Sequence, residues 1–151
     1  MVIEQKIMTV YEHRRSVGFK DTNLTGNVYF LSHFAWQGEC RELFLQEHFP
    51  EILQELQAGF CLVTTYCNCE YLAELNAFDE VIVRMSLGSL SQTQITMLFE
   101  YWKEANGKEE MVARGEQRIA CFQRRPEGMS PVSVPAKLRA AISRYSETLT
   151  R

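Results

Sequence analysis

The second half of this chain carries strand patterns almost throughout, and one long helical segment precedes it. Between residues 60 and 123, branched and aromatic residues alternate with polar ones, which is typical of strands. The expected strands are 60–72, 80–90, 92–102 and 111–123. The Asn106-Gly107 pair favours a tight turn between the last two. A run of strands after one helix predicts an α+β fold with a largely antiparallel sheet.

The long helical segment covers residues 28–49. Its apolar side chains spread around nearly the whole helix, so we expect other elements to enclose it. Gly38 lies in the middle, where glycine often marks the close approach of another group. The segment ends at Phe49-Pro50, because the residue before a proline disfavours helix. A short second helix is expected at residues 52–58.

The two ends of the chain complete the predicted domain. Residues 3–14 alternate well enough to form a first strand, which makes five. Residues 126–135 are expected to be a linker and residues 135–150 an amphipathic helix. We therefore predict one domain over residues 1–151, with its core at about 3–124, in which a five-stranded antiparallel sheet wraps one long central helix. Because such a sheet leaves its edges unpaired, pairing of edge strands between two copies is the simplest remedy.

Length and composition narrow the class of protein. A chain of 151 residues with 46% hydrophobic residues suits one globular domain. The formal net charge of −3, without a basic stripe, argues against a nucleic-acid partner. No apolar run approaches the ~20 residues that span a bilayer, and residues 1–6 lack the apolar stretch of a signal peptide. The 5 cysteines have no framework spacing, so we expect free thiols and a cytoplasmic protein.

A polar loop at residues 20–30 leads into the helical segment. Its turn-forming and cap-forming residues are Asp21, Thr22, Asn23, Thr25, Gly26 and Asn27. Such a junction directs unpaired backbone N–H groups at whatever lies in front of the helix. Two interpretations are open, a well-capped core helix and an active site for acyl transfer. Local chemistry alone favours the first, because a good helix start needs no catalytic reason.

Four polar residues interrupt the apolar helix. They are Gln37, Glu39, Arg41 and Glu42. A charge on an enclosed helix needs a partner or a task. Either Arg41 and the two glutamates pair with each other or with a sheet residue such as Arg84, or the cluster serves a ligand.

Other kinds of site have little support in the sequence. The three histidines are scattered, and Cys67 and Cys69 lack the spacing of a structural zinc site, so no metal is expected. There is no Gly-x-Ser-x-Gly elbow and no glycine-rich phosphate loop, and no cofactor is expected. Cys40, inside the helix, is the one cysteine that merits attention as a nucleophile.

Residues 19–30 resemble the signature of the hotdog-fold acyl thioesterases of the 4-hydroxybenzoyl-CoA thioesterase type. In that signature an aromatic residue and Asp-x-Asp-x-x-Gly-x-Val, followed by an aromatic residue, precede the central helix. The matching residues here are Phe19, Asp21, Gly26, Val28, Tyr29 and Phe30. The order of elements matches as well, so the resemblance covers about residues 5–124. It implies a hotdog fold and thioester hydrolysis.

One position departs from the typical signature. Asn23 stands where the typical family member has its catalytic carboxylate, and an asparagine is neither a general base nor a nucleophile at neutral pH. The thioesterases of enediyne polyketide biosynthesis resemble this chain there, and also at Tyr-Glu-His-Arg (11–14) and Gly-Glu-Cys-Arg-Glu (38–42). That resemblance implies release of a long polyene or β-keto acyl chain from the carrier-protein domain of an iterative polyketide synthase, by a homodimer or tetramer.

The residues expected to be catalytic are Asn23, Tyr29, Phe30, Glu39 and Arg41. Backbone N–H groups near Tyr29 and Phe30 would bind the developing oxyanion, and the Asn23 amide would hold water or the carbonyl. If the helix starts just after Asn27, Arg41 lies about 21 Å along its axis. Arg41 then reaches the site only from a second subunit, or is structural. Glu39 is likewise a candidate to act in the active site of a second subunit.

Other functions remain open. One is an acyl-CoA thioesterase of primary metabolism. Another is a hotdog acyl-binding or dehydratase-like protein, for which His33 is the only candidate histidine and has no acid placed beside it. A third is a fold member that only dimerises. Release of free thiol from an acyl thioester would separate hydrolases from the rest.

Overall fold

The structure, a computed structural model, describes the backbone of residues 5–150 and the side chains of residues 9–146. Within this range three α-helices and eight strands alternate with short connections. In chain order they are β1 (Gln5–Met8), β2 (Tyr11–Ser16), α1 (Ser32–His48), α2 (Ile52–Gln57), β3 (Phe60–Tyr71), β4 (Glu80–Leu90), β5 (Gln94–Ala105), β6 (Lys108–Arg125), β7 (Gly128–Pro131), α3 (Ala136–Ser143) and β8 (Glu147–Thr150). None of the described helices is long and apolar enough to cross a membrane.

The main sheet has the strand order β2-β4-β5-β6-β3, and all neighbours are antiparallel. The short strand β7 pairs with the far end of β6. Helix α1 contacts β2 and β3, the two edges of the sheet, as well as β4. A sheet whose two edges both reach one helix is curled around it. The predicted α+β hotdog architecture is therefore confirmed, with one strand more than expected in the main sheet.

The core lies between α1 and the concave face of the sheet. On α1 the buried residues recur at helical spacing and form one face: His33, Trp36, Gln37, Cys40 and Phe44. On β5 every second residue is buried, from Ile95 to Tyr101. The opposite face of α1 carries exposed Ala35, Glu42 and Gln46. The expected enclosure of the helix therefore holds for one face only.

Helix α1 begins at Ser32, four positions after the predicted start at residue 28. Val28 donates its N–H to the carbonyl of Leu75 (2.8 Å), and Tyr29 donates to the carbonyl of Asp21 (2.9 Å). These bonds hold residues 28–29 in the loop, so the apolar run of the sequence extends beyond the helix. Within the described part of the chain, no atom lies within 4 Å of a Cβ built on Gly38, so the chain itself does not approach this glycine closely.

The two ends of the chain also differ from the prediction. The single strand expected at residues 3–14 is two strands, since β1 pairs with β8 in a separate two-stranded sheet while β2 pairs with β4. Residues 3 and 4 lie outside the described residues. The expected linker contains β7, and the C-terminal helix is α3 alone, followed by β8. The β1–β8 pairing joins segments far apart in the sequence, which a local pattern does not reveal. Strand β7, by contrast, forms a local hairpin with the end of β6.

Strand β3 is an open edge of the main sheet. It pairs with β6 on one side, and no other described strand lies on its second side. Its central residues 64–67 are exposed. Backbone groups on such an edge are available to another strand.

Candidate active site

Asp21 fastens the loop that leads to α1. Its Oδ2 accepts hydrogen bonds from the Arg15 guanidinium (2.9 Å) and from the backbone N–H of Gly18 (2.9 Å). Its backbone carbonyl accepts from the N–H of Tyr29 and from the Ser32 hydroxyl, both at 2.9 Å. Only 7% of Asp21 is exposed. One buried residue thus connects β2, the start of the loop and the start of the helix.

Glu39 joins this arrangement from the middle of α1. Its carboxylate accepts a hydrogen bond from Arg15 (2.8 Å) and pairs with the imidazole of His13. The Arg15 guanidinium also lies over the ring of Trp36, 5.0 Å from its centroid. The two sequence motifs at 11–14 and 38–42 therefore meet in space. The pairing with a sheet residue that the sequence suggested is confirmed for Glu39, whose partner is Arg15 of β2. Arg84 is not that partner, because it pairs with Glu12 and Glu109.

Asn23 lies at the exposed tip of the loop. Its Oδ1 accepts from the N–H (3.0 Å) and hydroxyl (2.7 Å) of Thr25, and its backbone N–H donates to the carbonyl of Asn27 (2.9 Å). Among the described residues, the Nδ2 group donates to no acceptor. The loop therefore fixes the amide through its oxygen and presents its N–H₂ group outward. An amide held in this way is a donor for a ligand.

Tyr29 and Phe30 lie between the loop and the helix. Their rings are 4.8 Å apart, and each is about half exposed. The N–H of Tyr29 is occupied by Asp21, so it is not the free donor that the sequence suggested. Within the part of the chain that the structure describes, the N–H groups of Phe30 and Leu31 have no acceptor. The free backbone N–H groups are therefore those of Phe30 and Leu31, one residue later than the Tyr29 and Phe30 pair expected from the sequence.

His33 is buried just inside the first turn of α1. Its ring packs edge-on against Tyr71 and Tyr101, and neither ring nitrogen has a hydrogen-bond partner among the described residues. Burial lowers the pKa of His33 to about 4, although the nearby Phe30 carbonyl opposes the shift. A neutral, enclosed imidazole without a carboxylate beside it is poorly placed for the acid–base chemistry of a dehydratase.

Arg41 is largely buried against the sheet, two and a half turns into α1. One guanidinium nitrogen donates to the side-chain oxygens of Gln117 (2.9 Å) and Thr64 (3.1 Å), while the buried Nε has no partner in the described structure. Burial lowers the pKa of Arg41 from its usual value, but arginine remains charged at neutral pH. Arg41 is thus a partly buried cation whose two hydrogen-bond partners are neutral.

Beside Arg41, an apolar groove opens between α1, α2 and β3. It has a volume of about 520 Å³ and is lined mainly by aliphatic side chains, among them Leu45, Leu53, Leu56 and Leu62. Leu53 is 68% exposed at its rim. Arg41 and Glu42 both line this groove, so it suits a ligand with a polar end and a hydrocarbon body.

Gln37 is a residue whose importance the sequence only hinted at. It is fully buried one turn before Arg41 and donates to the carbonyl of Asn68 (3.0 Å). Gly115 makes room for it, because a Cβ there would lie 2.2 Å from that carbonyl and 2.8 Å from the Gln37 amide nitrogen. A glycine inside a strand is the sequence signal for such a close approach.

The predicted site residues fall into two groups. Asn23, Tyr29 and Phe30 lie together on the loop, and Glu39 is connected to it through Arg15 and Asp21. Arg41 is apart, because it lies nine residues beyond Ser32, about 14 Å along the helix. Its hydrogen-bond partners belong to β3 and β6.

Cys40, the cysteine that the sequence offered as a nucleophile, is poorly suited to that role. Burial raises the pKa of the Cys40 thiol to about 12, and that of Cys69 to about 11. A thiol that stays protonated is a weak nucleophile. All five cysteines are free.

Comparison with known proteins identifies the family. Residues 17–142 match the profile of the thioesterase-like superfamily. The dynemicin thioesterase, whose crystal structures reveal induced-fit and allosteric effects upon polyene binding, is 48% identical, with a TM-score of 0.86 over 90% of this chain and 96% of that one. No curated protein sequence matches the chain.

Two more distant structures share the fold. A 4-hydroxybenzoyl-CoA thioesterase complexed with 4-hydroxybenzoyl-CoA has a TM-score of 0.77 at 13% identity, over 91% of this chain and 98% of that one. A 1,4-dihydroxy-2-naphthoyl-CoA thioesterase from Synechocystis has a TM-score of 0.76 at 19% identity, over 89% and 96%. The resemblance to hotdog thioesterases, including those of enediyne biosynthesis, is thus confirmed. The chain belongs to the thioesterase-like superfamily and is a hydrolase of acyl thioesters.

Proposed function

We propose that this protein releases a long polyene or β-keto acyl chain, by hydrolysis, from the carrier-protein domain of an iterative enediyne polyketide synthase. The 48% identity to the dynemicin thioesterase supports the enediyne setting. The observation that carries the proposal is Arg41, a partly buried cation with a buried, unpartnered Nε–H, which lines an apolar groove of about 520 Å³. A long acyl chain with oxygen atoms at one end matches both parts.

Hydrolysis begins when water attacks the thioester carbonyl carbon and its oxygen becomes an oxyanion. The free N–H groups of Phe30 and Leu31 are donors for that oxyanion, at the end of α1 where the helix dipole also favours negative charge. The amide of Asn23 holds the water or the carbonyl. The oxyanion then collapses, the carbon–sulfur bond breaks, and the sulfur leaves as the pantetheine thiol with a proton from solvent.

Arg41 takes part from a second copy of the chain. It bonds to Thr64 on the open edge strand β3, so it lies where an antiparallel strand of another copy would pair. Its distance along α1 from its own loop argues against a role there. In the partner's site, its guanidinium stabilises the oxyanion or the β-keto oxygen. A β-keto thioester has an activated carbonyl, so its hydrolysis needs no strong base in place of Asn23.

Glu39 serves this site by positioning it. Its carboxylate is occupied by Arg15 and His13, and Arg15 in turn holds Asp21 under the loop. A carboxylate with two such partners keeps the loop in place at the start of α1. It has little freedom to act as a base on water.

The experiment is mass spectrometry of the species released from the acylated polyketide synthase. Release of a free polyene or β-keto acid, or of its decarboxylation product, together with the free carrier thiol supports the proposal. The same acyl chain is then offered on coenzyme A. Faster hydrolysis of the CoA thioester than of the carrier-bound one would contradict the carrier assignment and favour an acyl-CoA thioesterase.

A further inference from the structure

The apolar groove beside Arg41 adjoins a second space, which helix α3 borders. Three groove residues, Arg41, Leu45 and Leu62, also line a second space between α1 and the sheet. This space is nearly filled, since only about 10 Å³ remains in it. Its other lining residues are Phe44, Ile95, Met97, Ile119, Leu138 and Ile142. We call this nearly filled space the seam.

Helix α3 supplies two of the side chains that fill the seam. Leu138 and Ile142 are four residues apart, so they lie on the same face of the helix, and both are buried. They line the seam only, whereas Leu45 and Leu62 line both spaces. The C-terminal helix therefore forms a wall of the seam, which adjoins the groove.

Polar contacts at its outer side hold α3 in place independently of these two residues. The Arg139 guanidinium donates to the carbonyls of Ser91 (2.6 Å) and Gln92 (3.2 Å). Just after the helix, the Tyr145 hydroxyl lies 2.9 Å from Nε2 of His48. Truncation of Leu138 or Ile142 is thus expected to open space at the wall while the helix stays in place.

We propose that Leu138 and Ile142 determine the longest linear acyl chain that the protein accepts. This inference rests on the proposed thioesterase function. The oxygen-bearing end of the acyl group belongs at Arg41, so the hydrocarbon runs away from it along Leu45 and Leu62. Apart from Arg41 the seam is lined by apolar side chains, so a hydrocarbon tail displaces no hydrogen bond there. Helix α3 then limits how far the hydrocarbon tail extends.

The test measures kcat/KM for a series of linear acyl pantetheine thioesters that differ in length by two carbons, with free thiol as the readout. In the wild type, kcat/KM rises by up to about fourfold per added methylene until the chain meets α3. For longer acyl chains, kcat/KM then stays constant or falls. In Leu138→Ala and Ile142→Ala, kcat/KM should keep rising to an acyl chain about two carbons longer than in the wild type. The reason is that truncation of a buried side chain leaves a dry cavity that accepts hydrocarbon. Ile142→Phe moves the limit to shorter chains.

The matched control is Ala141→Gly, a change on the same helix at a buried residue that lines neither space. It is expected to lower the melting temperature without moving the length limit. If an alanine variant fails to fold, Leu138→Val and Ile142→Val give smaller shifts in the same direction. An unchanged limit in folded, active variants overturns this inference alone. Absence of thiol release by the wild type from every thioester, including the carrier-bound chain, overturns the proposed function instead.

Discussion

The loop at residues 18–31 and the groove at Arg41 present polar groups to a ligand in opposite ways. In the loop, buried Asp21 provides the support, and exposed Asn23 is the proposed donor. At the groove, one partly buried residue, Arg41, is proposed for both roles, and its partners Thr64 and Gln117 are neutral. In the loop, support of the fold and the proposed donation to a ligand therefore belong to different residues. At the groove, both belong to Arg41.

The difference predicts how stability and activity respond to mutation. In the loop the two properties are separable, since replacing the support affects folding and replacing the donor affects turnover. At Arg41 they oppose each other, because a buried charge without a charged partner costs stability while it provides a strong electrostatic donor. Residues kept at a cost to folding are frequently functional ones.

The largest effect on folding is expected for Asp21→Ala. The substitution leaves the largely buried Arg15 with one carboxylate fewer, and leaves the N–H of Gly18 without its acceptor. We expect the free energy of unfolding to fall by about 3–5 kcal/mol, measured by urea denaturation. Asp21→Asn keeps an oxygen acceptor and should lose less. If the free energy of unfolding of Asp21→Ala lies within about 1 kcal/mol of the wild-type value, Asp21 does not support the loop as proposed.

Arg41→Ala should lower turnover by about 100-fold to 1000-fold, which is the usual effect of losing one oxyanion donor. Single-turnover hydrolysis of a β-keto-acyl pantetheine thioester measures it. The melting temperature should change little, because removal of a partly buried charge offsets the lost packing and the hydrogen-bond donor lost by Gln117. Arg14→Ala, at an exposed arginine that pairs with Glu104, is the control and should keep full activity. Loss of stability without loss of turnover in Arg41→Ala would make Arg41 structural.

His33 should make stability depend on pH. Burial lowers its pKa from 6.5 to about 4, so between these values the unfolded chain binds a proton that the folded chain does not. The stabilisation is complete above pH 6.5 and is lost as pH falls towards 4, by at most about 1.4 kcal/mol per pH unit. Urea denaturation across this window should show the slope in the wild type and a smaller one in His33→Phe. Equal slopes in the two proteins would contradict the burial of a neutral imidazole.

Asn23→Ala is expected to have the smallest energetic effect, about a tenfold or greater loss of turnover, with little change in unfolding because the side chain is exposed. Asn23→Asp separates two roles. Retained activity would show that the site can use a base, while an inactive protein would show that the amide's N–H₂ is required. Wild-type turnover in Asn23→Ala would exclude the loop tip from the site.

Local sequence patterns predicted the strand and helix features that depend on residues close together in the chain. The strand over Glu80–Leu90 was predicted to the residue, because alternation of apolar and polar side chains is a local property. The central helix was predicted as an element, but its start was placed four residues early. The bonds that hold Val28 and Tyr29 in the loop come from Leu75 and Asp21, and apolar character does not reveal such distant partners.

The contacts within the candidate site were predicted only in part, for the same reason. A family signature identified the loop and Asn23, but it did not indicate that Asp21 holds the loop through Arg15. The pairing of Arg41 with neutral oxygens was also missed, since the sequence offered nearby glutamates as partners. Those glutamates point elsewhere or lie exposed, and only the register of β3 and β6 brings Thr64 and Gln117 to the helix.

The central claim is that one active site combines the loop of one subunit with Arg41 of another, and mixed dimers test it most directly. A dimer purified with two affinity tags contains one Asn23→Ala subunit and one Arg41→Ala subunit. If the site is shared, one of its two sites is intact, and the dimer should show about half of wild-type activity. A dimer of one wild-type and one doubly substituted subunit should then be nearly inactive. The reverse result, an inactive first dimer and a half-active second one, would place Arg41 in the site of its own subunit and contradict the account.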